Sequence, residues 1–187
     1  MPLPERKPQR LREYDYSQNG AYFVTICTKD RRHLFGVVKN NAVVLNEAGK
    51  MISQRIENIS NGINVTVDKY VVMPNHIHAI IMINGDRIAT DPGTAQGPFP
   101  TVSEYIRRLK TITTKLYIDG VKDGRYPPFE KTIWQKSYHD RILRDENEYL
   151  SAWRYIEENP LRWLLDEYNV VGNGPCAVPK QAAEDRT

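Results

Sequence analysis

The fold class that the sequence predicts is α+β, with helices packed on an antiparallel sheet in a single domain. The chain has 187 residues, a length that suits one hydrophobic core. Its segments alternate as strand, helix, hairpin, helix, strand and helix, without an internal repeat. Because a tight hairpin joins antiparallel strands, this order favours an antiparallel sheet that is covered by helices.

The first predicted strand and helix lie in the N-terminal third of the chain. Residues 20–28, GAYFVTICT, are dense in β-branched and aromatic residues, which is typical of a buried strand. A polar turn and a second short extended segment follow, in DRRHLFGVV. Residues 46–60 then predict a helix, because apolar residues recur at helical spacing. These residues are Ala48, Met51, Ile52, Ile56 and Ile59.

Two neighbouring apolar segments predict an antiparallel hairpin. Residues 64–73 and 76–83 each have the composition of a strand, and Pro74-Asn75 between them is a turn signal. Residues 84–100 are crowded with Gly and Pro, which predicts a long surface loop after the hairpin.

Two helices and one strand are predicted in the C-terminal half. Residues 101–117 place apolar side chains on one helical face, and the following DGVKDGRYPP is expected to be a loop. Residues 133–144 predict a strand with a polar bend. Residues 145–160 predict a helix whose acidic first turns suit the positive end of its dipole. Pro160 should end this helix.

We expect one folded domain with two irregular ends. Residues 1–13 are rich in Pro, Arg and Lys and lack periodicity, which predicts a basic N-terminal arm. Residues 14–168 hold all the predicted helices and strands. Residues 169–187 have the composition of a disordered tail.

Composition places the chain among mildly basic globular proteins. Apolar residues make up 40% and charged residues 26% of the chain. The net charge of +3 is compatible with a polyanionic partner but does not require one. The first residues lack the apolar core of a secretory signal, and no apolar run approaches the roughly 18 residues of a membrane span. We therefore expect a cytoplasmic protein without membrane contact.

Two histidines stand in the apolar stretch MPNHIHAII. Residues i and i+2 of a strand point to one face, so the imidazoles of His76 and His78 project together and can bind one divalent ion. Alone, the pair is weak evidence, because most such pairs are ordinary strand residues. A zinc enzyme would need a third strong ligand, and the chain has neither His-Glu-x-x-His nor a cysteine cluster.

A second candidate group lies in WRYIEENPLRW, on the last predicted helix. Tyr155 and Asn159 are spaced i, i+4 and therefore share one helix face. The Tyr155 phenol is a candidate nucleophile, and the Asn159 amide oxygen is a candidate hard ligand. For an isolated Tyr-x-x-x-Asn, a structural role as a half-buried tyrosine and an asparagine near a helix end is commoner than a catalytic one. If both groups meet the histidines, a tyrosine can attack a DNA phosphodiester beside a divalent ion. Mixed nitrogen and oxygen ligands suit Mg²⁺ or Mn²⁺.

Four segments in this order resemble one known family. They are GAYFVTICTKDRRHLFG, VMPNHIHAII, IWQKSYHDRILRDE and YIEENPLRW. Together they look like the REP-associated tyrosine transposases, which belong to the HUH (His-hydrophobic-His) superfamily of single-stranded-DNA, IS200-like transposases. The resemblance runs from about residue 10 to about residue 165. Four motifs in the same order are far more specific than either short motif alone.

The resemblance implies a fold, an activity and a set of site residues. The implied fold is a ferredoxin-like antiparallel sheet with helices on one face. The implied activity is a metal-dependent endonuclease and strand transferase, which cuts and rejoins single-stranded DNA at palindromic REP hairpins during DNA transposition and recombination. Tyr155 matches the nucleophile that forms a 5′-phosphotyrosine. His76, His78 and Asn159 match the ligands of Mg²⁺ or Mn²⁺.

Basic residues are the candidate DNA contacts, because Lys and Arg neutralise phosphates. The candidates are Arg6, Lys7, Arg10 and Arg12 in the arm, and Arg107, Arg108 and Lys110 on the helix of residues 101–117. For each of them, an ordinary role on the solvated surface explains the residue equally well.

Two other functions stay open at this point. One is a non-catalytic protein, derived from a transposase, that binds hairpin DNA without cutting it. The other is a small zinc hydrolase that uses His76 and His78 without Tyr155. The sequence also leaves open whether the protein is a monomer or a homodimer, and so whether Tyr155 serves the histidines of its own chain.

Overall fold

A computed structural model describes residues 19–59, 65–83 and 101–165 of the chain. The predicted basic arm, the predicted tail and the predicted loop of residues 84–100 lie outside these ranges. The described part contains six strands and three helices. The strands are β1 (Gly20–Cys27), β2 (Gly36–Lys39), β3 (Ala42–Leu45), β4 (Val65–Val72), β5 (His76–Ile83) and β6 (His139–Leu143). The helices are α1 (Glu47–Asn58), α2 (Val102–Lys122) and α3 (Glu146–Arg162).

Four of the strands form one antiparallel sheet in the order β4-β5-β1-β6. The first and third of these in the chain, β1 and β5, lie at the centre, and a helix connects β1 to β4 and β5 to β6. This is the strand order of a ferredoxin-like βαββαβ sheet, with the small β2–β3 hairpin inserted before α1. The predicted α+β class and ferredoxin-like sheet are confirmed.

The sheet carries helices on both faces. Alternate residues of β1 and β5, such as Tyr22 and Ile81, pack with α1 and α2 in the larger apolar cluster. The intervening residues, such as Phe23 and Ile80, face the other way and pack with Ala152 and Ile156 of α3. The expectation that the helices share one face is therefore wrong, because both faces of the central strands are apolar and both must be covered.

The structure differs from the predictions in two local features. The predicted extended segment after β1 forms strand β2, but it pairs with β3 in a hairpin whose turn places Asn40 and Asn41 in the left-handed region (φ 50° and 59°). Helix α2 continues to Lys122 instead of ending near residue 117. A Cβ on Gly120 would stand 2.2 Å from the Tyr126 ring, so this glycine permits close packing rather than stopping the helix.

The end of α3 also differs from the prediction. Pro160 lies inside the helix, which runs on to Arg162 and then into a 3-10 turn, Trp163–Leu165. A proline inside a helix is unfavourable, so packing must hold the last turn in place. Trp163 provides such packing, because it is buried with its ring 5.4 Å from that of His33 and 6.0 Å from that of His76.

The predicted strand of residues 133–144 is shorter in the structure. Only His139–Leu143 pairs with β1, while residues 133–138 cross the domain in irregular form. Trp134 anchors that segment, since it is buried and forms an isolated bridge with Thr28. Across the described ranges, no helix combines the length and the apolar character that crossing a bilayer requires.

Candidate active site

Strand β5 presents the two histidines on the face that α3 covers. His76 lies opposite Cys27 and His78 opposite Thr25 in the β1 register. Both imidazoles are 0% exposed, and their ring centroids are 4.5 Å apart. The alternation of β5 thus places the pair side by side, as the spacing predicted.

Helix α3 brings Tyr155 to this pair. The Asp145 side chain accepts a hydrogen bond from the Glu148 N–H and so caps the helix start. Packing of Ile156 on the sheet then turns the Tyr155 ring towards β1 and β5. Its centroid lies 5.1 Å from that of His78 and 5.8 Å from that of Phe23, both edge to face.

Asn159 completes the arrangement one turn further along α3. Its side chain is 1% exposed and hydrogen-bonds the side chain of His76. The structure therefore brings together all four of the predicted catalytic and metal-binding residues. All four belong to one chain, so the tyrosine helix packs on its own histidines.

Two polar residues that support the histidines were not identified from the sequence. Nδ1 of His76 lies 2.8 Å from Oδ1 of Asn75, and Nδ1 of His78 lies 2.9 Å from Oγ1 of Thr25. Asn75 was interpreted only as a turn residue and Thr25 only as part of a strand. The one sequence signal for Thr25 is a hydroxyl in the otherwise apolar FVTIC. The signal for Asn75 is its position beside the first histidine.

The electrostatics of the pair favour neutral imidazoles. Burial lowers the pKa of His78 to about 3. Burial also lowers the pKa of His76 well below its ordinary value, with smaller contributions in the same direction from His78, Arg31 and His33. The hydrogen bond with Asn159 opposes this shift in the pKa of His76. Neutral imidazole is the form that binds a metal ion.

The candidate metal ligands are two imidazole nitrogens and one amide oxygen. Nε2 of His76, Nε2 of His78 and Oδ1 of Asn159 are all buried atoms of the site. Within the described ranges, no three His, Cys, Asp or Glu side chains form a group that could hold a metal ion. A metal held here would therefore need the amide of Asn159 as its third ligand. An amide oxygen is a ligand type that suits Mn²⁺ and Mg²⁺, whereas imidazole also suits zinc.

The candidate DNA-contact residues on α2 lie outside this cluster. Arg107 and Arg108 are both paired with the carboxylate of Glu104. Lys110 donates from Nζ to the carbonyls of Gln135 and Ser137, and burial lowers its pKa to about 8. Lys110 thus holds the irregular segment against α2, while the two arginines stay exposed. The arm candidates Arg6, Lys7, Arg10 and Arg12 lie outside the described residues.

Comparisons with known proteins support the assignment of the fold. No protein-family model matches the chain. An uncharacterized protein of Haemophilus influenzae is 33% identical over 178 residues, which cover 90% of this chain and 95% of that protein. The two proteins belong to one family. A solved REP-associated tyrosine transposase, bound to a REP hairpin, superposes with a TM-score of 0.53 at 20% identity, covering 82% of this chain and 73% of that one.

This chain has the fold of the REP-associated tyrosine transposases. The resemblance drawn from the four sequence motifs is thereby confirmed at the level of the fold. In this transposase fold, the residues that the motifs single out stand on β5 and α3, on the face opposite α1 and α2.

Proposed function

We propose that this protein is a metal-dependent transposase, which cleaves and rejoins single-stranded DNA at palindromic hairpins with Tyr155 as the nucleophile. The observation that carries the proposal is the contact of the Tyr155 and His78 rings, whose centroids are 5.1 Å apart. The transposase fold supports the same reading, because the solved protein that shares it binds a REP hairpin.

The proposed reaction exchanges one ester oxygen on a phosphorus atom. The Tyr155 phenol loses its proton as its oxygen attacks the phosphate, the bond between phosphorus and the 3′ oxygen breaks, and that oxygen takes up a proton to become a 3′-hydroxyl. The 5′ end stays on the protein as a phosphotyrosine. A 3′-hydroxyl that attacks this phosphotyrosine restores a DNA phosphodiester and releases the phenol, so rejoining needs no ATP.

The surroundings of Tyr155 suit this chemistry. The histidines and Asn159 are buried away from water, where interactions with developing negative charge are stronger than in water. A divalent ion on His76, His78 and Asn159 would stabilise the charge that grows on the phosphate oxygens. Phe23 stacks on His78 at 5.3 Å and meets Tyr155 edge-on, which keeps phenol and imidazole in a constant relation.

We propose that the protein acts in cis. Tyr155 reaches the histidines of its own chain, so a second copy need not supply a catalytic group. The arm residues together with Arg107 and Arg108 remain the predicted contacts to the DNA backbone.

A covalent-adduct assay tests this function. The protein is incubated with Mn²⁺ and a labelled single strand that carries a palindromic hairpin, and adducts are separated under denaturing conditions. We expect wild type to form an adduct and Tyr155→Phe to form none. Tyr149→Phe is the matched control, because Tyr149 lies on the same helix and bonds Asp68, away from the histidines. It should retain the adduct.

Two outcomes would reject the proposal. Equal cleavage by wild type and Tyr155→Phe would exclude Tyr155 as the nucleophile. Tight hairpin binding without cleavage by wild type, at any Mn²⁺ or Mg²⁺ concentration, would instead identify a non-catalytic hairpin-binding protein.

A further inference from the structure

Asn75, the residue before His76, is held by several hydrogen bonds in the β4–β5 turn. It is 0% exposed. Its carbonyl oxygen accepts from the N–H and the hydroxyl of Thr28, at 2.8 and 3.0 Å. Its side-chain Nδ2 donates to the Arg31 carbonyl at 3.1 Å. Both ends of the side chain amide therefore have defined neighbours.

The Arg31 carbonyl determines which way the Asn75 amide points. A carbonyl oxygen only accepts, so the amide must turn its NH₂ towards Arg31 and its oxygen towards His76. A turn in which Asp30 and Arg31 both adopt left-handed backbone angles (φ 56° and 52°) presents that carbonyl. Such angles are unfavourable for residues with a side chain, so the surrounding contacts must hold them.

The oxygen of Asn75 in turn determines the position of the His76 proton. Oδ1 can only accept, and it lies 2.8 Å from Nδ1 of His76, so Nδ1 must carry a hydrogen. A neutral imidazole carries a single ring proton, which leaves Nε2 as the nitrogen with the lone pair. We propose that Asn75 is a positioning residue that holds His76 in the Nδ1–H tautomer, with its Nε2 lone pair ready for a metal ion.

The other groups around His76 are compatible with this tautomer. The charge of Arg31 disfavours a second proton on the ring, as do His33 and His78. Asn159 bonds the His76 side chain from α3, and an amide can offer either its NH₂ or its oxygen. The Asn159 amide can therefore present its NH₂ to a lone pair on Nε2, whereas the Arg31 carbonyl determines the orientation of Asn75.

The Nδ1 neighbour of His78 is a hydroxyl rather than an amide oxygen. Its Nδ1 faces the hydroxyl of Thr25, which can donate or accept. Either tautomer of His78 satisfies that bond, so the contact with Thr25 does not by itself select one.

The first test measures the tautomer in the metal-free protein. Nitrogen-15 NMR of histidine-labelled protein at pH 7.5 separates protonated from lone-pair ring nitrogens, and single substitutions assign the four histidines. We expect His76 to show a protonated Nδ1 and a lone pair on Nε2. A proton on Nε2 of His76 would overturn the proposal. This measurement does not depend on cleavage.

The second test compares two substitutions at one position. Asn75→Ala removes the acceptor for His76 and the bond to Arg31, whereas Asn75→Asp keeps an acceptor but cannot donate to Arg31. By calorimetry we expect Asn75→Ala to weaken Mn²⁺ binding about 10- to 100-fold and Asn75→Asp to stay within a few-fold of wild type. Equal losses in both variants would show that Asn75 only anchors the turn.

The inference deepens the proposed function and rests on it for the metal. The two can fail separately. If wild type neither cleaves DNA nor binds Mn²⁺ while His76 shows the Nδ1–H tautomer, the proposed function fails and the positioning by Asn75 stands. If Asn75→Ala does not fold, the wild-type tautomer and the affinity of Asn75→Asp still decide the matter.

Discussion

The two faces of the central sheet differ in what covers them. On one face, α1 and α2 enclose a large apolar cluster that includes Tyr22, Ile26 and Ile81, each 0–1% exposed. On the other face, α3 and the sheet share a small buried apolar cluster: Phe23, Ile80, Leu143, Ala152 and Ile156. The rest of that face holds His76, His78 and Thr25 on the sheet and Asn159 on α3.

This difference separates a face that is packed for stability from a face that carries the candidate site. Apolar burial contributes roughly 25 cal/mol per Å², so the face with the large cluster supplies most of the stability. Buried polar groups contribute little net stability and must each be hydrogen-bonded. The α3 face has fewer apolar contacts and more buried polar side chains in defined orientations, which is common at functional sites.

The comparison is tested most strongly by truncating two adjacent residues of β5. Ile80 and Ile81 are both 0% exposed but point to opposite faces. Ile81→Ala leaves a cavity in the large cluster and should lower the free energy of unfolding by about 3 to 5 kcal/mol in urea titrations. Ile80→Ala should cost about 2 kcal/mol, because the partly buried Tyr149 and Trp153 can move into the space.

The effects of the same two variants on activity should rank in the opposite order. At a temperature where both are folded, Ile80→Ala should slow adduct formation, since Ile80 supports the helix that carries Tyr155. Ile81→Ala should leave it near wild type. Equal stability losses together with equal activity losses would show that the two faces do not have separate roles.

Acid should destabilise the α3 face through its buried histidines. Well above pH 6.5 both imidazoles are neutral whether the chain is folded or unfolded, so they do not make the free energy of unfolding depend on pH. Below that pH the unfolded chain binds protons that folded His78, with a pKa of about 3, does not. Between pH 6 and pH 5, the free energy of unfolding of the metal-free protein should therefore fall by about 1.4 kcal/mol per pH unit for each such histidine.

A neutral substitution isolates this effect. His78→Gln removes one of the two buried imidazoles, so its unfolding free energy should fall less steeply with acid, by about 1.4 kcal/mol per pH unit. His139→Gln is a suitable control, because His139 is half-buried and burial lowers its pKa less strongly. Identical slopes for wild type and His78→Gln would contradict the neutral, buried state of His78.

A polar contact on the other face should affect stability without affecting the site. The Trp134 indole N–H donates to Oγ1 of Thr113 at 3.1 Å, and both side chains are buried. Thr113→Val leaves that donor without an acceptor, at a cost of about 1 to 3 kcal/mol. Thr111→Val on the exposed side of α2 should change the urea midpoint little. Adduct formation should be unchanged in both, and a loss in Thr113→Val alone would link α2 to the site.

Each half of the candidate site was predictable because its two residues are close in sequence. His76 and His78 share a strand face, and Tyr155 and Asn159 share a helix face, so spacing alone places each pair. That the pairs meet required the family resemblance, since spacing within one element says nothing about its neighbours. Thr25 was missed for the same reason, whereas Asn75 was missed because a residue after proline was interpreted only as part of the turn. Thr25 meets His78 across 53 residues of sequence, through a register that no local pattern reveals.

Tertiary packing also explains the errors at element ends. Gly120 and Pro160 are helix breakers by propensity, and both lie inside helices here. The glycine makes room for the Tyr126 ring, and the proline is tolerated where Trp163 packs against the rings of His33 and His76. These reasons lie in residues beyond the local segment, so composition alone suggested a stop in both places.

The smallest expected effect concerns whether the α1/α2 side of the molecule touches DNA. Glu104 contacts Arg107 and Arg108 at 2.7 and 2.8 Å, so the three side chains together carry less positive charge than the two arginines alone. If these arginines contact phosphates, Glu104→Gln should tighten hairpin binding by up to several-fold. It should also steepen the dependence of log K on log salt concentration by about 0.7.

Asp123→Asn separates a local effect from a change in net charge. It removes the same charge at the other end of α2, where Asp123 pairs with Arg125 at 2.7 Å. Tighter binding for Glu104→Gln alone would place DNA along the start of α2 as well as on the α3 face. Equal changes in both variants would reflect only long-range attraction. No change in either variant would confine the DNA to the face that carries Tyr155, because phosphate contacts on α2 must respond to the loss of a neighbouring carboxylate.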